Sequence, residues 1–171
     1  MTIRKATPDD LPRILELRDL AREIMRNDGN RDQWPVGYPT EAAFRRDIGN
    51  GNTYMIEEGG ERIATFAFIP GPDPTYSTIY GGAWTDETLP YYVIHRICST
   101  PESHGVMDAI LQFAFSQINN IRIDTHRDNS IMRRALQRHG FAYCGIILCA
   151  SGDERLAFQK TIKNDISHEE T

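Results

Sequence analysis

The stretch from residue 91 to 125 constrains this chain more than any other. Residues 91–99, Tyr-Tyr-Val-Ile-His-Arg-Ile-Cys-Ser, are dense in aromatic and β-branched side chains and predict a strand. Thr100-Pro101-Glu102 breaks the run. Val106, Ala109, Ile110, Phe113, Ala114 and Ile118 then recur at helical spacing, and residues 121–125 are again of β type. A strand, a crossover helix and a second strand make a β-α-β unit, with parallel strands and a helix that buries one face on the sheet. The chain is therefore mixed α/β, which excludes all-helical and all-β architectures.

The flanking segments supply further elements of both kinds. Residues 3–6 predict a short strand. Thr7-Pro8-Asp9-Asp10 opens a helix, with a hydroxyl cap, proline at the first position and acids in the first turn. Leu11, Ile14, Leu17, Ala21 and Ile24 form its buried stripe. Residues 26–39 are polar and punctuated by Gly and Pro, yet carry Trp34 and Tyr38. Thr40 caps a second helix, which Gly49-Asn50-Gly51 stops. Residues 53–57 and 62–69 flank Gly59-Gly60 as a hairpin. A long connection runs on to about residue 90 with Tyr76, Tyr80 and Trp84 in it. Its length marks it as functional or disordered, and its aromatics argue against disorder. Asn129 caps a helix carrying Ile131, Met132, Ala135 and Leu136, and Gly140 ends it. Residues 141–149 and 155–161 close the fold as a strand pair around Ser151-Gly152-Asp153.

At roughly 150 residues per domain, the 171 residues make one domain, expected over 1–161 with a polar tail at 162–171. The 19 Lys and Arg against 24 Asp and Glu leave a net charge of −5, which argues against a nucleic-acid coat protein. No apolar run approaches the roughly 20 residues of a membrane span, and the first residues do not look like a signal peptide. A cytoplasmic protein without a membrane partner is expected. Cys98, Cys144 and Cys149 are odd in number and lack metal spacing, so they are expected as small buried hydrophobes. His95, His104, His126, His139 and His168 show no ligand spacing either, so no metal is expected.

Where residues 91–99 run into their helix, free backbone N–H groups and the helix dipole suit a phosphate or pyrophosphate. Gly105 would let a ligand approach the backbone, with Ser103 and His104 beside it. An ordinary strand-helix turn is the competing reading.

Together these segments resemble a known family. The carriers are Ile3-Arg4-Lys5-Ala6-Thr7-Pro8-Asp9-Asp10, Val93-Ile94-His95-Arg96-Ile97, Ile121-Arg122-Ile123-Asp124-Thr125-His126, and Asn129 ahead of Gly140-Phe141. Gln33-Trp34-Pro35 with Gly37-Tyr38-Pro39 also fits. In this order the chain is similar to a bacterial branch of the GNAT superfamily of acyl-CoA-dependent N-acetyltransferases, from Ile3 to about Lys160. The resemblance implies an α/β (α+β) fold: a twisted, mostly antiparallel sheet of about six or seven strands with about four helices. Its central parallel pair, residues 91–99 and 121–125, would splay apart to admit acetyl-CoA. By the same resemblance the pantetheine pairs with backbone groups at Ile97, Cys98 and Ser99. The pyrophosphate rests on the amides of His104, Gly105, Val106 and Met107, and Asn129 reaches the pantetheine arm, a role compatible with capping a helix.

Two departures stand out. The family's phosphate loop reads Gln or Arg, two residues, Gly, one residue, Gly or Ala. With Gly105 as the middle glycine, Glu102 replaces the Arg or Gln and Met107 the last small residue. With the frame on Ala109, Met107 replaces the glycine and His104 the Arg or Gln. The first register keeps glycine where the backbone meets phosphate. Many relatives also carry a tyrosine two helical turns after the asparagine, where it protonates the leaving thiolate; here that place holds Leu136.

The remaining candidates follow from residue chemistry and this placement. His95, mid-strand, is a candidate general base or a hydrogen-bonded core histidine. Tyr92 is the next candidate base. Tyr91 and Tyr92 point to opposite faces, so one lines the acceptor pocket and the other is core. Arg122, Asp124 and His126 share a strand face near Arg96, and a satisfied charge network between the central strands is favoured, with His126 at the strand end the one to touch ligand. Trp34 and Tyr38 roof the acceptor site or anchor their loop. The expected reaction is direct attack of a primary amine of a small molecule or peptide on acetyl-CoA in a ternary complex. A GNAT-fold binding protein without chemistry and a protein-interaction module are the alternatives, and a homodimer fits the family.

Overall fold

The computed structural model describes residues 1–163. Its strands are β1 (Thr2–Lys5), β2 (Thr53–Glu58), β3 (Glu61–Pro70), β4 (Tyr92–Ser99), β5 (Asn120–Thr125), β6 (Ala142–Leu148) and β7 (Glu154–Thr161). Its helices are α1 (Leu11–Asn27), α2 (Glu41–Gly49), α3 (Val106–Gln117) and α4 (Ser130–Arg138). Residues 164–171, with His168 and most of the expected tail, lie outside the described residues.

The seven strands form one sheet in the order β1-β2-β3-β4-β5-β7-β6. Every neighbouring pair is antiparallel except β4 and β5. This is the expected sheet and fold class. β3 is buried continuously from Ile63 to Phe68, as a central strand covered on both faces must be.

Each helix begins and ends for a local reason. Thr7 and Asp10 exchange the bonds of a capping box, so the chain turns through Pro8–Asp10 before α1. Thr40 Oγ1 accepts from the Ala43 amide at 3.2 Å and starts α2. Asn129 Oδ1 accepts from the Met132 amide at 3.0 Å and starts α4. On one face Ile14 and Leu17 of α1 pack with Phe44, Met55 and Cys98. On the other, Ile110, Leu111 and Ala114 of α3 and Leu136 of α4 pack with Phe66, Ile94 and Ile121. Each fully buried Leu or Ile contributes roughly 1.5–3 kcal/mol.

A third cluster, Tyr76, Trp84, Val93, Cys144, Ile147 and Ala157, lies under the connection between β3 and β4. That connection is ordered by identifiable bonds. Trp84 Nε1 donates to the Tyr76 carbonyl at 3.0 Å. The buried Gln159 Oε1 accepts from the Thr85 amide at 2.8 Å. The Asp73 amide donates to the Tyr91 hydroxyl at 2.8 Å. The aromatics are thus anchors, and the connection delivers Asp73 and Thr75 to a fixed place on the sheet.

Candidate active site

β4 and β5 pair only at Tyr92–Ile121 and Val93–Arg122. Beyond those pairs the strands have no mutual ladder, and a cavity of about 230 Å³ opens there. Ile94, His95, Arg96 and Ile97 of β4 line it, as do Ile123, Asp124 and Thr125 of β5. Trp34 and Tyr38 from the α1–α2 loop and Arg155 from β7 also reach it.

β4 carries a bulge beside this gap. Thr65 faces Cys98 and Ala67 faces His95, so Phe66 alone faces both Arg96 and Ile97. Arg96 holds φ at 54°, a left-handed conformation costly for a residue with a side chain. Its guanidinium lies 2.8 Å from the buried Asp47 carboxylate on α2, an ion pair by distance without an aligned hydrogen bond. The expected partner across the central strands is corrected here: the bulge turns Arg96 under α2, away from Arg122 and Asp124. Arg122 instead lies between the rings of Trp84 and Tyr91, 4.0 Å from each.

His95 forms the centre of an acidic wall. Its Nε2 is 3.5 Å from Asp73 Oδ2 and its Nδ1 is 3.6 Å from Asp124 Oδ1. Burial opposes the Asp73 charge, but hydrogen bonds from His95 and Thr75 outweigh it and hold the pKa at about 2. The Tyr76 hydroxyl donates to Asp124 Oδ1 at 2.5 Å. Burial, followed by the Asp124 charge, drives the Tyr76 pKa upward, so this phenol stays a donor. The wall therefore presents two carboxylates and an imidazole to whatever enters. Such a set attracts an ammonium and can accept its proton.

At the other end of the gap, Gly105 holds φ at 73° and precedes α3. The first helical amides, from Val106 onward, have no intrahelical acceptor and are free to bind an anion. A side chain would strain the Gly105 conformation, which favours the register with Gly105 as the middle glycine. Ser103 pairs with Thr100 through their hydroxyls. Glu102 and Asp108 are exposed, and Asp108 faces His139 at 3.3 Å. Asn129 lines the cavity while its Nδ2 donates to Gln33 Oε1 at 2.9 Å, joining the α1–α2 loop to the α4 cap.

The structure distributes the expected site residues unevenly. His95, Ile97, Trp34, Tyr38 and Asn129 line the cavity. Trp34 is also core, with 7% of its surface exposed, so roofing and anchoring coincide. His104, Gly105, Val106 and Met107 gather at the α3 start. Ser99 lies at the end of β4, and the Cys98 side chain is buried under α1, leaving only its backbone for a ligand.

Three expectations are corrected. Tyr92 packs against Phe68, with ring centroids 4.5 Å apart, on the α3 face and away from the cavity lining. Tyr91 is taken up by the Arg122 stack and the Asp73 amide. His126 is buried outside the cavity lining, because the chain turns after Thr125 and its Nδ1 accepts from the Asp128 amide at 3.0 Å. Burial and the nearby Arg155 charge lower its pKa. Cys149 also departs from expectation: it lines the cavity rather than the core.

Asp73, Asp124, Gln33 and Arg155 also line the cavity, a placement that sequence reasoning missed. Asp124 was legible as a strand-face acid, and the favoured charge network drew attention from it. Asp73 sat within a Pro-rich break that read as punctuation. Arg155 and Gln33 converge only through tertiary structure. Among the described residues, Asp32, His126 and Asp128 bring possible ligand atoms within 4.8 Å of one another. The Asp128 amide already occupies His126 Nδ1, and Arg155 lies nearby, so this set does not suit a cation. Among the described residues no helix is long and apolar enough to cross a membrane.

No family model and no curated protein matches the chain in sequence. Solved structures do match. The chain is similar to a GNAT-family acetyltransferase from Streptococcus agalactiae at 30% identity, covering 95% of each chain with a TM-score of 0.85. It is similar to a GNAT-family acetyltransferase from Listeria monocytogenes at 18% identity, covering 94% of each chain with a TM-score of 0.70. The GphF GNAT-like decarboxylase, solved with isobutyryl-CoA, aligns at 14% identity over 95% of this chain and 100% of that one, TM-score 0.67. Likeness at the two lower identities is one of fold.

Proposed function

The chain belongs to the GNAT family of acetyltransferases, and from that premise we propose that it transfers an acetyl group from acetyl-CoA to a primary amine of a small molecule or peptide in a ternary complex. The observation that carries this reading is the cavity at the point where β4 and β5 cease to pair, with His95, Asp73 and Asp124 on its wall. The reading takes residues 1–161 as one catalytic domain acting in the cytoplasm. The CoA-binding GphF relative lends support to a CoA-type cosubstrate.

The residues present fit acetyl-CoA. The free amides after Gly105 suit its pyrophosphate, and the unpaired edges of β4 and β5 suit the amide-bearing pantetheine arm. When bound, acetyl-CoA supplies the thioester carbonyl that the amine attacks. The bulge at Arg96 and Ile97 leaves backbone N–H groups out of the ladder, where they can stabilise the developing oxyanion.

His95 has the larger catalytic task. An alkyl ammonium with a pKa near 10.4 is neutral at pH 7 only about once in 2,500 molecules. Asp73 and Asp124 draw the ammonium to the wall, His95 takes one proton from it, and the freed lone pair then attacks the thioester carbonyl. The carbon–sulfur bond then breaks, the nitrogen loses its second proton, and the departing thiolate takes that proton up. A thiol of pKa roughly 8.5 needs little help at this step. That matters because Leu136 is fully buried in the core and offers no acid.

Two measurements test the reading. Acetyl-CoA at about a hundredfold excess over Kd should stabilise the protein by about 2.7 kcal/mol in a melting experiment. An amine screen that reads free thiol should find turnover. No heat and no melting shift at millimolar acetyl-CoA would overturn it. Binding without turnover across the screen would favour a silent CoA-binding protein, the reading that Leu136 supports.

A further inference from the structure

The cavity holds a second charged group that the acetyl-transfer reading does not use. Three arginines are buried: Arg22, Arg122 and Arg155. Arg22 pairs with Asp19 at 2.7 Å. Arg122 lies between two aromatic rings at 4.0 Å. Arg155 has neither kind of partner among the described residues. Its guanidinium donates only to backbone carbonyls, of Glu154 at 2.9 Å and of Gln33 at 3.5 Å. It is 8% exposed and lines the cavity. A buried guanidinium that forms no ion pair among the described residues is costly, and an anion entering the cavity would offset that cost.

Strand register fixes where this cation stands relative to the acidic wall. Asp124 faces Ala157 across β5 and β7. Arg155 shares the Ala157 face, because side chains alternate along a strand. Asp124 and Arg155 are therefore diagonal neighbours on one sheet face, a relation that spans roughly 7–8 Å in antiparallel pairs. They nevertheless form no ion pair with each other; Asp124 turns to Tyr76 and His95 instead. One face of a cavity of about 230 Å³ thus offers two negative groups and, a short step away, one positive group. Apolar surface from Trp34, Ile94, Ile123 and Ile147 lies around them.

We infer that the acceptor is a compact zwitterion of amino-acid type, with its amine against Asp73, His95 and Asp124, its carboxylate on Arg155, and an apolar side chain on the surrounding wall. The assignment rests on the acceptor-site reading of this cavity. It excludes simple alkylamines and polyamines as preferred substrates, because neither supplies an anion to Arg155.

The test is a matched acceptor panel with acetyl-CoA, reading thiol release. Leucine, methionine and phenylalanine are set against their decarboxylated amines and against their carboxamides, whose amines bracket the parent in basicity. The free acids should exceed both analogues in kcat/KM by about a hundredfold or more, since a site built for a polar group strongly rejects a ligand lacking it. Arg155→Gln should erase that preference while leaving acetyl-CoA binding within a few-fold. The preference of the unaltered protein is the primary readout, so a misfolded variant does not decide the matter. Analogues as active as the acids would overturn the assignment and leave acetyl transfer standing. No thiol from any compound, with calorimetric binding of the free acids but not the amines in the presence of CoA, would overturn transfer and the acceptor role together, leaving Arg155 as the carboxylate contact of a binding site. Neither thiol nor binding would overturn both.

Discussion

Asp10 and Asp73 are both held below the usual carboxylate range, and their surroundings differ in kind. Asp10 accepts from Arg4 at 2.8 and 2.9 Å, from Arg62 at 3.2 Å and from the Thr7 amide at 2.8 Å. Every direction around it is filled, and two arginines answer its charge. Asp73 accepts from Thr75 through one oxygen only; the other faces His95 at 3.5 Å. Asp124 likewise spends Oδ1 on Tyr76. Among the described residues neither acid of the cavity pairs with an arginine or lysine. A carboxylate that pins a helix start to the sheet is saturated, whereas the cavity wall keeps unanswered negative charge for something that arrives.

The comparison is broken most sharply at His95. His95→Phe should lower kcat/KM for the amine by about 10²–10⁴-fold with acetyl-CoA affinity within a few-fold. Steady-state thiol release between pH 6 and 9 measures it. Unchanged activity would make the imidazole a packing group.

Asp10→Asn should do the reverse. We expect a loss of about 1.5–3 kcal/mol in denaturant unfolding, as for charged hydrogen bonds, with turnover unchanged. The pH dependence follows from the sign of the shift. The hydrogen bond from Arg4 leads the effects that lower the Asp10 pKa. Its contribution is therefore full above the ordinary carboxylate pKa, about 3.9, and is lost as pH falls through the lower folded value. Acid unfolding below about pH 4 should be shallower in the variant.

Leu136→Tyr, which supplies the family's usual phenol, should destabilise by about 1–3 kcal/mol through overpacking and give no gain in turnover. A gain would show that protonating the thiolate limits the rate. The smallest effect is expected at Asp73→Asn: a rise of about tenfold in acceptor KM, equivalent to about 1.4 kcal/mol, with little change in melting temperature. An equal rise in the KM for acetyl-CoA would place Asp73 at the wrong end of the gap.

Much of this architecture was legible in local sequence. Periodicity and caps located α1, α2 and α4: Thr40 and Asn129 cap through their own side chains, and ahead of α1 the Asp10 carboxylate accepts from the Thr7 amide. The β-α-β unit placed the central parallel pair, and family resemblance supplied the splay. The cavity wall was harder to read. His95 stood out as a titratable group mid-strand, but its partners come from distant segments. Asp73 arrives from the β3–β4 connection and Arg155 from β7, and no spacing rule links either to His95. Alternation alone also could not say which of Tyr91 and Tyr92 faces the pocket. The register is unbroken from Tyr92 to His95, yet neither tyrosine lines the cavity, because Arg122 takes up the Tyr91 ring and Phe68 takes up the Tyr92 ring.

A crystal structure of the chain with CoA tests the central claim most directly, that the gap between β4 and β5 is where acyl donor and acceptor meet. The account predicts the pantetheine arm between the two strands, the pyrophosphate on the amides that follow Gly105, and the thiol directed toward His95. CoA bound elsewhere, for instance along the Arg133 and Arg134 face of α4 beside Tyr143, would contradict it.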